Sequence, residues 1–166
     1  MANAVLISIQ PWWCSQIVTG QKTLEIRKTR PKLETPFKCY IYSTKAKPGW
    51  FDLAKKERFD GKVIGEFVCD NIRRFDVPYP AFQKELDKRI LDESCCTYYQ
   101  LHRYAYHDAL YGWHISDLLI YDTPCSLNKL RKPELPTGLR YEDDAIKRPP
   151  QSWCYVEELK GGADKS

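Results

Sequence analysis

Apolar and polar positions near the start of the chain predict a strand followed by a short helix. Residues 5–10 (VLISIQ) are mostly apolar and rich in β-branched side chains, as a strand with at least one buried face requires. Pro11 suits the first position of a helix, and Gly20 suits the position just past a helix end. We therefore predict a short helix over about residues 12–19, with one packed side.

The next segment predicts a strand with two chemically different faces. Leu24 and Ile26 point to one side of this strand, and Glu25 and Arg27 point to the other. The second face is therefore polar and of mixed charge, and Lys22 lies at the turn before it.

Four later segments have the composition of strands, at residues 37–46, 62–70, 113–121 and 153–159. Between the first two, residues 50–58 could form a helix, and Asp60 with Gly61 marks a tight turn. These strands alternate with turn signals and short helices, which indicates a mixed α and β domain.

The alternation at residues 62–70 predicts two faces of one strand. One face holds Ile64, Glu66 and Val68, and the other holds Val63, Phe67 and Cys69. Gly65 leaves a gap at which something else can approach closely. Glu66 lies between apolar neighbours, either as the structural partner of a cation or as a functional acid.

The remaining segments predict an insertion and a loop. Residues 79–107 predict a two-helix insertion with a break near Cys95, whose tyrosines either pack or line a cleft. Residues 126–152 predict an irregular loop, and residues 161–166 predict a flexible tail. The length predicts a single domain over residues 1–160.

The segment from Val5 to Arg30 resembles the signature of the ASCH domains, which are small β-barrel relatives of the PUA RNA-binding fold. The matching residues are Gly20, Lys22, Thr23, Glu25 and Arg27. Three later segments look like the strands that close such a barrel in bacterial and phage members: KVIGEFVCD (62–70), YGWHISDLLIYD (111–122) and PPQSWCYV (149–156). The resemblance implies an α+β fold, a PUA-like small β-barrel of about five or six mostly antiparallel strands with a short N-terminal helix and a helical insertion.

The resemblance also implies possible activities. Some ASCH-like proteins are amidohydrolases that remove the acyl group from acetylated cytidine with a Lys, a Thr three residues later and a distant Glu, and another branch resembles ribonucleases. Lys22 matches the Lys and Glu66 could match the distant acid, but Glu25 stands at the position of the Thr. A carboxylate is a poor substitute for a hydroxyl nucleophile unless it activates water as a general base.

Charge is distributed unevenly along the chain. Through Lys62 there are 12 Lys and Arg against 5 Asp and Glu, whereas the remainder has 14 against 17. A basic surface flanked by aromatic rings favours a phosphate-bearing partner, because cations release counterions from nucleic acid and rings stack on bases. On charge alone, a solvated surface that only maintains solubility is an equal alternative.

These observations favour a charged site at the barrel mouth, in which Lys22, Glu25, Arg27 and Glu66 would converge. The preferred hypothesis is an RNA- or nucleotide-binding module that recognises its ligand in this charged cleft. The candidate ligand-binding residues are Trp12, Trp13, Lys22, Glu25, Arg27, Ser43, Lys45 and His114, with Trp50 as a further stacking residue.

Two other hypotheses stay open. The chain could be a hydrolase acting on a modified nucleoside or on RNA, with Lys22, Glu25 and Glu66 as catalytic residues, and His114 either an acid or base or a structural histidine. It could instead be a protein-interaction module that uses the loop after Cys125.

The cysteines and the hydropathy of the chain predict the redox state of its thiols and its location in the cell. Seven cysteines are an odd number without Cys-x-x-Cys spacing, which predicts reduced thiols. We expect a cytoplasmic protein without a membrane span, since no apolar run approaches about 18 residues. No metal-ligand spacing and no Gly-rich phosphate loop occur, so we expect neither metal nor cofactor.

Overall fold

The computed structural model describes residues 3–45, 59–78 and 86–160. In chain order the elements are β1 (Ala4–Ile9), α1 (Pro11–Val18), β2 (Leu24–Arg27), β3 (Phe37–Ser43), β4 (Lys62–Phe75), α2 (Lys88–Ser94), α3 (Tyr98–Ala105), β5 (Leu110–Cys125) and β6 (Trp153–Val156). The predicted helix at residues 50–58, Trp50, the start of the insertion and the predicted tail lie outside the described residues.

The six strands form one sheet in the order β2-β5-β4-β3-β1-β6. Strands β1 and β3 are parallel, and the other neighbouring strands are antiparallel. The sheet curves into a half-barrel. The prediction of an α+β fold with about six mostly antiparallel strands is confirmed.

Helix α1 begins and ends where the sequence predicts. Pro11 is its first residue, and Gly20 follows the C-cap with φ of +77°, a left-handed conformation that glycine adopts without strain. This sharp end turns the chain from α1 directly into Lys22 and β2.

The two edges of the sheet, β2 and β6, approach each other without pairing as strands. Side chains bridge this seam instead: Arg27 Nη2 donates to the Ser8 carbonyl at 2.7 Å, and Trp153 Nε1 donates to Thr29 Oγ1 at 3.0 Å. The backbone N–H of Lys32 also donates to the Tyr155 hydroxyl at 2.8 Å. An unpaired edge is thus covered by local side-chain contacts.

Strand β1 is buried on both faces and separates two apolar cores. Val5, Ile7 and Ile9 point into the first core, whereas Ala4 and Leu6 point into the second. A third, smaller core joins Leu24 and Ile26 of β2 to Ile90, Leu101 and Ala105 of the helical insertion. The apolar face predicted for β2 therefore packs against the insertion.

The two faces predicted for β4 are wrong. Ile64 lies in the first core with Phe67 and Cys69, whereas Val63 lies in the second core. The β4–β5 register shifts near these residues, and one extra residue in a strand moves every later side chain to the other face.

Gly65 marks a close approach, as predicted. A Cβ at this position would lie 2.3 Å from the Leu119 carbonyl oxygen of β5. Only glycine allows the two strands to come this close at the irregular register.

Four predicted strand lengths need correction. Strand β3 ends at Ser43, and β6 ends at Val156. Strands β4 and β5 are longer than predicted. The predicted loop at residues 126–152 is irregular, with a short 3-10 helix at Leu127–Lys129 and one isolated bridge between Arg131 and Ala145.

All seven cysteines are free thiols, as the sequence predicts. Among the helices of the described residues, none has the length and apolarity needed to cross a bilayer.

Candidate functional site

Three charged residues, Lys22, Glu25 and Arg27, meet beside α1 and form what we call the charged cluster. Lys22 is only 3% exposed. Its Nζ donates to the Leu24 carbonyl at 3.0 Å and to the Ser94 carbonyl at 2.8 Å, and it lies 3.3 Å from Glu25 Oε2. The ammonium group also lies 4.9 Å from the centre of the Trp13 ring. Lys22 thereby ties β2 to the end of α2.

Glu25 lies between the two cations of the charged cluster. Its Oε1 is 3.0 Å from Arg27 Nη2, the same nitrogen that donates to the Ser8 carbonyl across the seam. Strand alternation places Glu25 and Arg27 on the face opposite Leu24 and Ile26, as predicted. Since the apolar face packs against the insertion, the charged face turns towards the first core. Glu25 is accordingly buried, with 6% of its surface exposed.

Aromatic residues of β5 lie opposite the charged cluster. Glu25 pairs with Trp113 and Arg27 pairs with Tyr111 in the antiparallel register of β2 and β5. Directly opposite residues point to the same face of a sheet, so these two rings flank the carboxylate and the guanidinium. Trp113 is fully buried and contacts Phe37 edge-on, with ring centres 5.9 Å apart.

Cys14 and Ser43 complete the buried surroundings of the charged cluster. Burial raises the pKa of the Cys14 thiol to about 12; the charge of Glu25 adds to this effect, and the Ser43 hydroxyl and Arg27 oppose it. The thiol stays protonated at neutral pH and is a poor nucleophile there.

Within the described residues, four buried side-chain polar atoms lack a hydrogen-bond partner. They are Glu25 Oε2, Arg27 Nε, Ser43 Oγ and Trp113 Nε1. The contact between Glu25 Oε2 and Lys22 is an ion pair without hydrogen-bond alignment. Buried polar atoms are almost always satisfied in native proteins, and an exception reflects strain, a catalytic or redox role, or a bound water or ion. All four atoms belong to residues in or beside the charged cluster.

The charged cluster holds more positive than negative charge. Lys22 and Arg27 are two cations against the single carboxylate of Glu25, and the side chains of all three are at most 12% exposed. Unbalanced charge with little access to water favours binding of an anion or of a strong hydrogen-bond acceptor.

The structure brings five of the predicted site residues together. They are Trp13, Lys22, Glu25, Arg27 and Ser43. Ser8, Cys14, Tyr111 and Trp113 lie at the same place but were not among the predicted residues. Tyr111 and Trp113 lie there because β2 pairs with β5, and Ser8 lies there because Arg27 contacts it across the seam. Neither contact leaves a local signal in the sequence.

Glu66 does not join the charged cluster, contrary to the predicted convergence at the barrel mouth. It accepts a hydrogen bond from the Tyr121 hydroxyl at 2.5 Å and lies 3.1 Å from Lys38 Nζ, beside the second core. Burial and the bond to Glu66 raise the pKa of Tyr121 well above its usual range. Although burial alone lowers the pKa of Lys38, the hydrogen bonds to Glu158 and Glu66 raise it overall. Glu66 is therefore paired with a cation, as in one of the two alternatives that the sequence left open.

Three other predicted residues also lie apart from the charged cluster. His114 Nδ1 pairs with Asp70 Oδ1 at 2.6 Å on an exposed part of the sheet. Lys45 lies against Gly61 at the turn before β4. Trp12 is 58% exposed and points away from the core that holds Trp13.

The described residues contain no group of three or more His, Cys, Asp or Glu side chains placed to hold a metal ion. The acceptors and donors of the charged cluster instead suit an organic ligand, since a guanidinium and an ammonium group repel metal cations.

In structure the chain is similar to the ASCH protein from Zymomonas mobilis. One mutant form of that protein matches with a TM-score of 0.58 and 22% identity, over 94% of this chain and 91% of that chain. The ASCH protein itself matches with a TM-score of 0.57 and 22% identity, over 94% and 89%. A second mutant form gives 0.55 and 22%, over 95% and 90%.

No protein-family model and no curated protein matches the sequence. Agreement over nearly the full length of both chains establishes a shared architecture, while an activity depends on the residues of the site. The chain therefore has the fold of the ASCH-domain proteins, as the residues between Val5 and Arg30 predict.

Proposed function

We propose that the protein binds a nucleotide, free or as part of an RNA, at the charged cluster. The observation that carries this proposal is that two buried atoms on adjacent side chains, Glu25 Oε2 and Arg27 Nε, make no hydrogen bond, although Glu25 Oε2 is ion-paired with Lys22. A carboxylate oxygen accepts a hydrogen bond from the exocyclic amine of a base, and a guanidinium N–H donates to a base or phosphate oxygen. The excess positive charge favours the phosphate.

Aromatic rings support the same ligand class. Trp13 beside Lys22 and Tyr111 opposite Arg27 place flat, partly buried surfaces next to the charged groups. Stacking on aromatic rings combined with cationic contacts to phosphate is the usual way in which proteins bind single nucleotides of RNA. A cytoplasmic location is part of this proposal.

A thermal-shift screen with two matched variants tests the proposal. The ligands are nucleosides, acylated cytidines, nucleotides and short single-stranded RNA. Glu25→Gln and Glu66→Gln make the same isosteric change at two carboxylates, each paired to a lysine. A ligand at 100 times its dissociation constant adds about 2.7 kcal/mol to the free energy of unfolding, or roughly 5 to 10 °C in Tm.

The expected result is a shift that Glu66→Gln retains and Glu25→Gln loses. A shift that both variants retain would place the ligand elsewhere. If none of the ligands stabilised the wild type, the nucleotide proposal itself would fail and a protein partner would take its place.

The hydrolase alternative has weaker support. The Lys22 ammonium group already contacts two carbonyls and a carboxylate, so its N–H donors are occupied by the protein itself. The Glu66 carboxylate is likewise occupied by Tyr121 and Lys38. If Lys22→Met and Glu66→Gln both abolished turnover of an acylated cytidine or of an RNA while the protein stayed folded, the hydrolase reading would replace the binding one.

A further inference from the structure

Helix α3 presents an unusual concentration of exposed aromatic rings. Tyr99 is 71% exposed, Tyr104 is 38% exposed and Tyr106 is 77% exposed. Single exposed hydrophobic residues are common, but a contiguous group of them marks an interaction surface. The opposite side of the helix already supplies Leu101 and Ala105 to the third core, so the tyrosines are not needed for packing.

Positive charge accompanies these rings. Lys28, which directly follows β2, has its Nζ 5.4 Å from the centre of the Tyr104 ring. Arg103 is exposed and lies one helical turn after Tyr99, on the same side of α3. We call Lys28, Tyr99, Arg103, Tyr104 and Tyr106 the tyrosine face; it spans two exposed sides of α3, since Tyr99 and Tyr104 are five residues apart.

The backbone at the end of α3 gives an independent indication. Tyr106 has φ of +46° and His107 has φ of +72°, so two successive residues with large side chains occupy the left-handed region. Glycine or asparagine is the usual residue at such a helix end. Such unfavourable backbone conformations cluster at binding sites, where the function of the side chain outweighs the free-energy cost of the backbone conformation.

Two contacts hold the tyrosine face next to the charged cluster. Lys22 Nζ donates to the Ser94 carbonyl, three residues before the Thr97 capping box that starts α3. Lys28 follows Arg27 in the chain and reaches Tyr104. The insertion packs on the Leu24 and Ile26 face of β2, opposite Glu25 and Arg27, so an RNA strand that leaves the charged cluster reaches the tyrosine face around the edge of β2.

We infer that the tyrosine face binds the nucleotides of a single-stranded RNA that flank the one held by the charged cluster, with bases stacked on the tyrosines and phosphates at Lys28 and Arg103. This inference rests on the proposed function and extends it from one nucleotide to several. Cationic side chains between exposed rings are complementary to alternating phosphates and bases, and this chemistry binds single strands with little sequence preference.

The test compares ligands of two lengths by fluorescence anisotropy and calorimetry. One probe is a labelled single-stranded RNA of about ten nucleotides, and the other is the set of four ribonucleoside monophosphates. The double variant Tyr99→Ala/Tyr106→Ala should weaken RNA binding by at least about tenfold, because one lost stacking contact alone lowers affinity roughly fivefold or more. Its affinity for the monophosphates should stay unchanged.

Tyr141→Ala is the matched control. Tyr141 is also exposed and also has a lysine ammonium group over its ring, that of Lys132 at 4.9 Å, but it lies in the loop after Cys125. RNA affinity should not change in this variant. An equal loss in Tyr141→Ala and in the double variant would overturn the inference in favour of nonspecific surface binding.

Tyr106→Gly separates binding from folding. Glycine relieves the left-handed backbone, so Tm should stay the same or rise while RNA affinity falls severalfold. A lower Tm together with unchanged RNA affinity would show that Tyr106 is structural and would overturn its part in the surface.

The failures of the two proposals are distinguishable. Arg27→Lys should weaken both probes; if it weakens neither while the tyrosine variants weaken RNA binding, the proposed nucleotide site fails and the tyrosine face stands. If the RNA binds no more tightly than a monophosphate, or binding is identical in the tyrosine variants, the tyrosine face fails. Binding of a protein instead of RNA would also overturn it.

Discussion

Replacing Lys22 with methionine removes a buried cation and keeps most of the volume of its side chain. The change leaves the carbonyls of Leu24 and Ser94 without their donor and leaves Glu25 with only one cationic partner. A buried polar group that loses its partner costs about 1 to 3 kcal/mol, and breaking a buried ion pair costs about 3 to 5 kcal/mol. Because Arg27 still pairs with Glu25, we expect a loss of about 4 kcal/mol in the free energy of unfolding.

The magnitude is large relative to the total stability of a domain, which is about 5 to 15 kcal/mol. Urea unfolding followed by circular dichroism measures it, and Tm should fall by roughly 10 °C in calorimetry. Lys62→Met is the control, because Lys62 is exposed at the start of β4 and its loss should change stability by less than about 0.5 kcal/mol. The double variant Lys22→Met/Glu25→Gln should lose less than the sum of the single losses, since it no longer carries an underpaired carboxylate.

Hydrogen exchange shows where the loss acts. The bond from Lys22 to Ser94 joins the insertion to the sheet, so exchange should quicken across α2 and α3 before it quickens in β1. A loss below about 1 kcal/mol, with unchanged exchange in the insertion, would refute the reasoning and mean that the ammonium group reaches water in solution.

Three further predictions concern single residues. Gly65→Ala should destabilise the protein by about 3 kcal/mol or more in urea unfolding, because the added Cβ meets the Leu119 carbonyl at 2.3 Å. The pKa of Cys14 is raised from 9.0 to about 12 in the folded state, so the unfolded chain binds fewer protons above pH 9 and stability falls as pH rises towards 12; Cys14→Ala should make this fall shallower in urea titrations. The hydrogen bond from His114 lowers the pKa of Asp70, so His114→Ala should raise that pKa towards its ordinary value of 3.8 in an NMR titration. In the wild type, the ionised Asp70 stabilises the fold above pH 3.8, and this contribution is lost as pH falls. The contribution should be smaller in His114→Ala.

Local signals in the sequence predict the start of the fold well. Pro11 and Gly20 fix the ends of α1 through the missing N–H of proline and the left-handed backbone of glycine. The alternation of β2 correctly assigns Glu25 and Arg27 to one face. These features depend on backbone chemistry and on neighbours within a few residues, which a sequence displays directly.

The position of Glu66 could not be predicted in the same way. Its face depends on irregular register between β4 and β5, and such an irregularity results from the packing of two whole strands. In the sequence, Gly65 alone indicates the position of this irregularity, and it does not indicate which face of the sheet the later side chains occupy. Trp113 escaped prediction for a related reason, because its place opposite Glu25 depends on which strand pairs with β2.

The polarity of β2 explains why the proposed binding site lies at the seam. An edge strand usually turns its charged face to water, but the insertion covers the apolar face of β2 and turns Glu25 and Arg27 inward. The protein offsets the desolvation of these charges with Lys22, the Ser8 carbonyl and each other, yet leaves Glu25 Oε2 and Arg27 Nε without hydrogen bonds. Apolar packing of the same volume is often as stable as a buried ion pair, or more so. Under the proposed function, the ligand would complete the hydrogen bonds of Glu25 Oε2 and Arg27 Nε.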